Sequence, residues 1–185
     1  METETLLSIF LGIGLAASSG FRVFLPLFVL SLASYFQFIS LNENWLWIGG
    51  LPALITLGIA MIAEIFAYYI PFVDNLLDTI ATPLAAIAGT IVMTSTLLNL
   101  DPMLTWGLAI VAGGGTATAM QGMTSLTRLA SSVKTGGVGN PIVSTVETGT
   151  AFTLSSVAVF LPIVALILVI GLFGIIFLMY RKFKN

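Results

Sequence analysis

Continuous apolar runs dominate this chain, and the few charges left between them decide what it can fold into. Six basic and eight acidic residues are spread over 185 positions, and 58% of the side chains are hydrophobic. The charged share is 8%, against about 25% in an ordinary soluble domain. Backbone amides in lipid must find partners within their own segment, which selects helices. The expectation is an all-α, polytopic membrane helix bundle forming one integral membrane domain over residues 1–185. A charge kept inside an apolar run is costly, so it marks either a pairing or a site. Arg22, Glu64, Arg128 and Glu147 are such charges.

Short polar breaks divide the runs into about seven helical segments, near 5–17, 21–38, 46–70, 79–98, 104–132, 141–158 and 160–180. A full crossing takes about 20 apolar residues, so the first segment is short. Ser18-Ser19-Gly20 separates it from the second. The pair reads as a hairpin, spanning or re-entrant, with its tip at SSGFR. Such a break survives at membrane depth only inside protein or beside a wet cavity. The chain's first residues resemble a signal peptide in their small and apolar content, but the leading segment is acidic, which favours a retained membrane element. Pro52 and Pro162 fall near segment starts, where a missing N–H costs little. The SSGFRVFLP and TGGVGNPIVS breaks are loosely alike, the pattern of a weak inverted repeat.

Orientation follows from Lys and Arg, which collect on the cytoplasmic side. Arg181, Lys182 and Lys184 place the C-terminus there. Counting back puts the Arg22 tip and the Arg128–Lys134 connection on the same side, with Glu2, Glu4, Glu43 and Asp101 outside. Trp45 and Trp47 suit the outer interface and Tyr180 the inner one.

Two polar stripes carry the strongest functional signal. Gly114, Thr118, Gln121, Ser125, Arg128 and Ser132 recur at helical spacing, as do Asn140, Ser144, Glu147, Ala151 and Ser155. A stripe of this kind faces other helices or water rather than lipid. Arg128 and Glu147 sit at comparable depth on either side of the TGGVGNP turn and are expected to pair. Asn140 and Pro141 look like a helix start, with Asn140 as N-cap. Glu64 is either a proton or cation site or the salt-bridge partner of Arg22, with Tyr68 one turn on along the same face.

Weaker signals surround these. In YIPFVDNLLDTIATP, Asp74 and Asp78 share a helix face and, with Asn75, could take a divalent cation; the plainer reading is a solvated interfacial turn. Lys134, Gly136 and Gly137 form a Gly-rich turn whose backbone N–H groups could receive an anion at the following helix start. GGGTATA at 113–119 lacks the Gly-Lys-Ser/Thr of a phosphate loop and reads as close helix packing. Cys and His are both absent, which removes thiol nucleophiles, imidazole bases and the usual zinc, haem and iron–sulfur ligands. No cofactor is expected. The formal net charge of −2 and the lack of a basic patch argue against nucleic acid.

The blocks SSGFRVFLP, YIPFVDNLLDTIATP and Gln121…Arg128…SSVKTGGVGNPIVSTVE resemble a bacterial membrane family, domain of unknown function 4126, over nearly the whole chain. The resemblance implies a multi-pass protein of the bacterial inner membrane and supplies no activity. A looser architectural likeness is to polyprenyl-phosphate lipid translocases. From the residues themselves the leading expectation is a small transporter or lipid translocase for an anionic, phosphate-bearing substrate. Arg22 and Arg128 would hold the anion, Gln121, Asn140 and Ser144 would line a polar cavity open to the cytoplasm, and Glu64 or Glu147 would couple an ion. Membrane lipids are the expected partners. The alternative is a non-catalytic scaffold or partner-binding subunit, which the small size suits, as it does a homo-oligomer. An intramembrane enzyme ranks last, for want of a nucleophile–base pair.

Overall fold

Apolar periodicity resolves into eight α-helices in this computed structural model, which describes residues 3–184 and contains no strand among them. Glu2 and the side chains of Asn75, Tyr180, Lys182 and Lys184 lie outside the described residues. The helices are α1 (Thr3–Ser19), α2 (Phe24–Tyr35), α3 (Leu51–Ala67), α4 (Pro71–Thr96), α5 (Pro102–Leu108), α6 (Gly115–Thr135), α7 (Asn140–Phe160) and α8 (Pro162–Lys184). A 3-10 helix at Glu43–Gly49 precedes α3, and a π-helical turn at Ala109–Gly114 joins α5 to α6 without a break.

Three stretches are long and apolar enough to cross a membrane: Leu76–Thr96, Pro102–Thr135 and Asn140–Phe160. A fourth arises if the 3-10 helix and α3, bent by 64°, count as one span. The chain is therefore an all-helical membrane bundle of three or four such spans, with α1, α2 and the Pro162–Ile175 part of α8 apolar but shorter. α1 is short without penalty because protein surrounds it. It touches α2, α4, α6, α7 and α8, and its Leu15, Ala16 and Ala17 are fully buried. Leu25, Leu30, Val92, Met120 and Leu154 close the apolar core around it.

Two boundaries differ from the sequence expectation. The fourth helix starts at Pro71 rather than near 79, because proline is well placed in a first helical turn. Asp74 and Asp78 therefore belong to a helix and not to a solvated turn. The third helix starts at Leu51, since Gly50 is extended there and turns the chain out of the 3-10 helix. Asn140 does not act as an N-cap: α7 begins at Asn140 itself, Gly139 is the cap residue, and the Asn140 side chain points elsewhere.

Small residues set the tightest crossing. A Cβ on Gly89 would lie 2.6 Å from the Gly113 carbonyl oxygen, and one on Gly113 would lie 2.5 Å from that of Gly89. The GGGTATA stretch thus packs backbone against backbone on α4, with the π turn at the contact. Gly20, just past α1, is held in the same way: a Cβ there would come within 2.6 Å of Ala117 O and 2.9 Å of Gln121 N.

Candidate functional site

The break between α1 and α2 delivers Arg22 into the bundle interior, where only 1% of it is exposed. Its neighbours come from α7. Nε donates to Thr148 Oγ1 at 3.0 Å, and Nη2 donates to the Ser144 carbonyl at 3.0 Å and to Ser144 Oγ at 2.5 Å. Nη1 lies 3.5 Å from Glu147 Oε2. Arg22 is thus bound mainly by neutral oxygens, with one carboxylate at its edge.

Arg128 arrives from α6 and is 3% exposed. Its Nε donates to both Glu147 oxygens at 3.1 Å, and Nη2 adds a close bond to Oε2. This is a forked guanidinium–carboxylate pair, the strong form of the interaction. On its other edge Nη1 donates to Asp74 Oδ1. Asp74 Oδ2 accepts from Asn140 Nδ2 at 3.0 Å, and Asn140 exchanges hydrogen bonds with Ser132 Oγ. Asp78 stands 3.8 Å from Arg128 Nε, and its Oδ1 is buried without a hydrogen-bond partner. The Tyr68 ring ties the two cations together, with Arg22 Cζ 4.1 Å and Arg128 Cζ 4.3 Å from its centroid. An aromatic face is a favourable neighbour for a desolvated guanidinium.

Glu64 has a different task. Its carboxylate accepts from Val23 N at 2.8 Å and from Phe24 N at 3.0 Å, the first amides of α2. Those donors have no intrahelical partner, and a negative charge at a helix N-terminus is favoured by the dipole. Glu64 forms no ion pair within 4 Å of Arg22, so of its two readings the salt bridge is absent and a helix cap stands in its place.

The remaining expected residues divide. Asn140, Ser144 and Glu147 join the network. Gln121 is buried two turns away and donates to Ser125 Oγ at 3.3 Å. Lys134, Gly136 and Gly137 form an exposed or half-exposed turn outside the network, with Gly136 and Gly137 at positive φ of 63° and 89°. Asp74 is held by Arg128 and Asn140, and Asp78 faces Arg128 Nε. Among the described residues no group of three or more His, Asp or Glu side chains is placed around a metal position. The sequence marks Tyr68 only as a neighbour of Glu64 and does not single out Thr148, yet both contact the arginines. The signal for Tyr68 was its place one turn from Glu64, and for Thr148 its place one turn from Ser144.

Two apolar clefts of about 360 Å³ each reach the network from its sides. One lies between α6 and α7 with Glu147 on its floor, and the other between α3 and α4 with Glu64 and Tyr68 on its floor.

These features define a helical membrane protein with a largely buried network of charges in its interior. Residues 9–182 match the family described as a domain of unknown function (DUF4126), and the chain belongs to that family. No curated protein and no solved structure matches it.

Proposed function

We infer that this chain is a small membrane transporter for an anionic, phosphate-type substrate, with Arg22 and Arg128 as the anion receptors. One observation carries the reading: Glu147 and Asp74 occupy the two edges of Arg128 as a substrate oxyanion would. Four carboxylates, Glu64, Asp74, Asp78 and Glu147, gather near two guanidinium groups. The acids act as internal stand-ins for the substrate. A proton on Glu147 makes it a poor partner for Arg128, and an incoming phosphate oxygen takes the vacated fork. One proton and one negative charge then move together, so the interior gains no net charge. Asp78, with an unsatisfied oxygen and a partly exposed side chain, is the acid best placed to pass that proton.

The clefts on either side of the network are apolar, which suits a substrate whose tail stays in lipid while its head crosses, as in a lipid translocase. The Lys and Arg bias supports an inner-membrane protein of a bacterium with a cytoplasmic C-terminus.

The test is uptake of inorganic phosphate, and flipping of a labelled phospholipid, in vesicles containing the purified protein. Either activity should rise with a proton gradient of matching direction and disappear in Arg128→Gln. Glu147→Gln should keep binding but lose its pH dependence. A folded wild-type protein that moves neither substrate at any gradient sinks the reading. The scaffold alternative is favoured by the Glu64 cap and the closed network. It predicts that network variants change stability alone.

A further inference from the structure

At the end of the bundle away from the arginines lies a cavity of about 790 Å³, open to its surroundings. Trp106 and Arg128 lie toward opposite ends of one continuous helix, 22 residues and about 33 Å apart at 1.5 Å per residue. The cavity is lined by Glu43, Asn44, Trp45, Trp47, Asn99 and Trp106, among others. The chain has three tryptophans, and all three face this one space. An interfacial belt would spread them around the perimeter instead.

The walls are fixed before any ligand arrives. Asn42 N donates to Ser95 O at 2.8 Å, Asn42 Nδ2 to Leu97 O at 3.0 Å, and Ser31 Oγ to Ile48 O at 2.5 Å. These bonds pin the 3-10 helix that carries Trp45 and Trp47 to α4 and α2. Across the space Asp101 Oδ1 accepts from Met103 N at 2.9 Å and sets the start of α5, which carries Trp106. Trp45 and Trp47 lie 6.1 Å apart, centroid to centroid, with planes tilted by 34°, and so form one extended aromatic surface. Glu43 is the sole charged side chain on the lining, and it makes no ion pair among the described residues.

An electron-rich indole surface beside one free carboxylate, with no lysine or arginine on the lining, repels anions and attracts a weakly hydrated cation. Tryptophan is the best aromatic partner for such a group. We propose that this cavity binds an alkylammonium group, either as a free organic cation or as the headgroup of a membrane lipid. The site is separate from the arginine network and does not depend on the transport reading.

Because every tryptophan lines the cavity, tryptophan emission excited selectively over tyrosine reports on it. The full chain is titrated with choline in an uncharged polyoxyethylene detergent, at constant ionic strength. A saturable change is expected. The neutral carbon isostere 3,3-dimethylbutan-1-ol should give none. Glu43→Gln, at an exposed position, should keep its melting temperature and weaken choline binding by about fivefold, equivalent to ~1 kcal/mol. An equal response to the isostere, a saturable response to glucose, or an unchanged affinity in Glu43→Gln overturns the proposal. Nanodiscs assign the source. A choline response in phosphatidylglycerol that vanishes in phosphatidylcholine identifies the lipid headgroup; an equal response in both identifies a free cation.

Discussion

Replacing Arg128 by Met tests how the buried charges share their stabilisation. The side chain keeps its volume and loses its donors. Glu147 loses its forked partner and Asp74 loses one of its two donors, both in a region with little water. Removing one member of a buried pair costs about 3–5 kcal/mol. With two carboxylates each losing a charged donor, and only Asn140 and the more distant Arg22 left to them, Arg128→Met belongs near the top of that range. Glu147→Leu should cost less, because Arg128 keeps Asp74 and Asp78 as neighbours. The double variant should recover roughly 2 kcal/mol of the summed loss, within the range for contacting residues. It should not return to wild type, because Asp74 would still lack its arginine. Adding Asp74→Leu removes that residue of cost. Reversible unfolding in mixed micelles measures each free energy. Additive losses, with a coupling energy below about 0.5 kcal/mol, would refute the network as drawn. Full recovery in the double variant would refute the part assigned to Asp74.

Two further outcomes follow from single contacts. Glu64→Ala leaves Val23 N and Phe24 N without their acceptor and should destabilise by about 2–6 kcal/mol, at 1–3 kcal/mol per orphaned group; hydrogen exchange should show α2 fraying from its first turn, and unchanged protection there would contradict a capping role. Gly89→Ala should cost about 1–3 kcal/mol by forcing α4 from the π turn, whereas Gly122→Ala, with open space around it, should be neutral or slightly stabilising; equal melting temperatures for both variants would remove the argument for a backbone-to-backbone crossing.

The membrane class and the Arg128–Glu147 contact were legible because both rest on local pattern. Apolar run length identifies the helices, and helical spacing on either side of a short turn aligns the two side chains. Asp74 was misplaced for an equally local reason. The polar cluster around it lowers hydropathy and moves the expected helix start to near 79, although Pro71 already supplies a good first turn. Glu64 was recognised as an unusual buried acid, but its partners are amides about 40 residues earlier in sequence. Backbone donors leave no trace in composition, so the residues alone suggested only an ion site or a charged partner for it. Likewise no spacing rule places Tyr68 beneath arginines from two other segments. Those contacts depend on how the helices cross.

The π turn has a consequence for phase. Thr105, Ala109, Gly113 and Ala117 are all buried, yet steps of four residues drift by about 40° each on a regular α-helix. The wider turn at 109–114 absorbs that drift and keeps the four on one side. Below it the interior positions Ala117, Gln121, Thr124 and Arg128 return to ordinary helical spacing. The direction in which Arg128 points is thus decided some 20 Å earlier along the helix axis, where one surplus residue is taken up against Gly89.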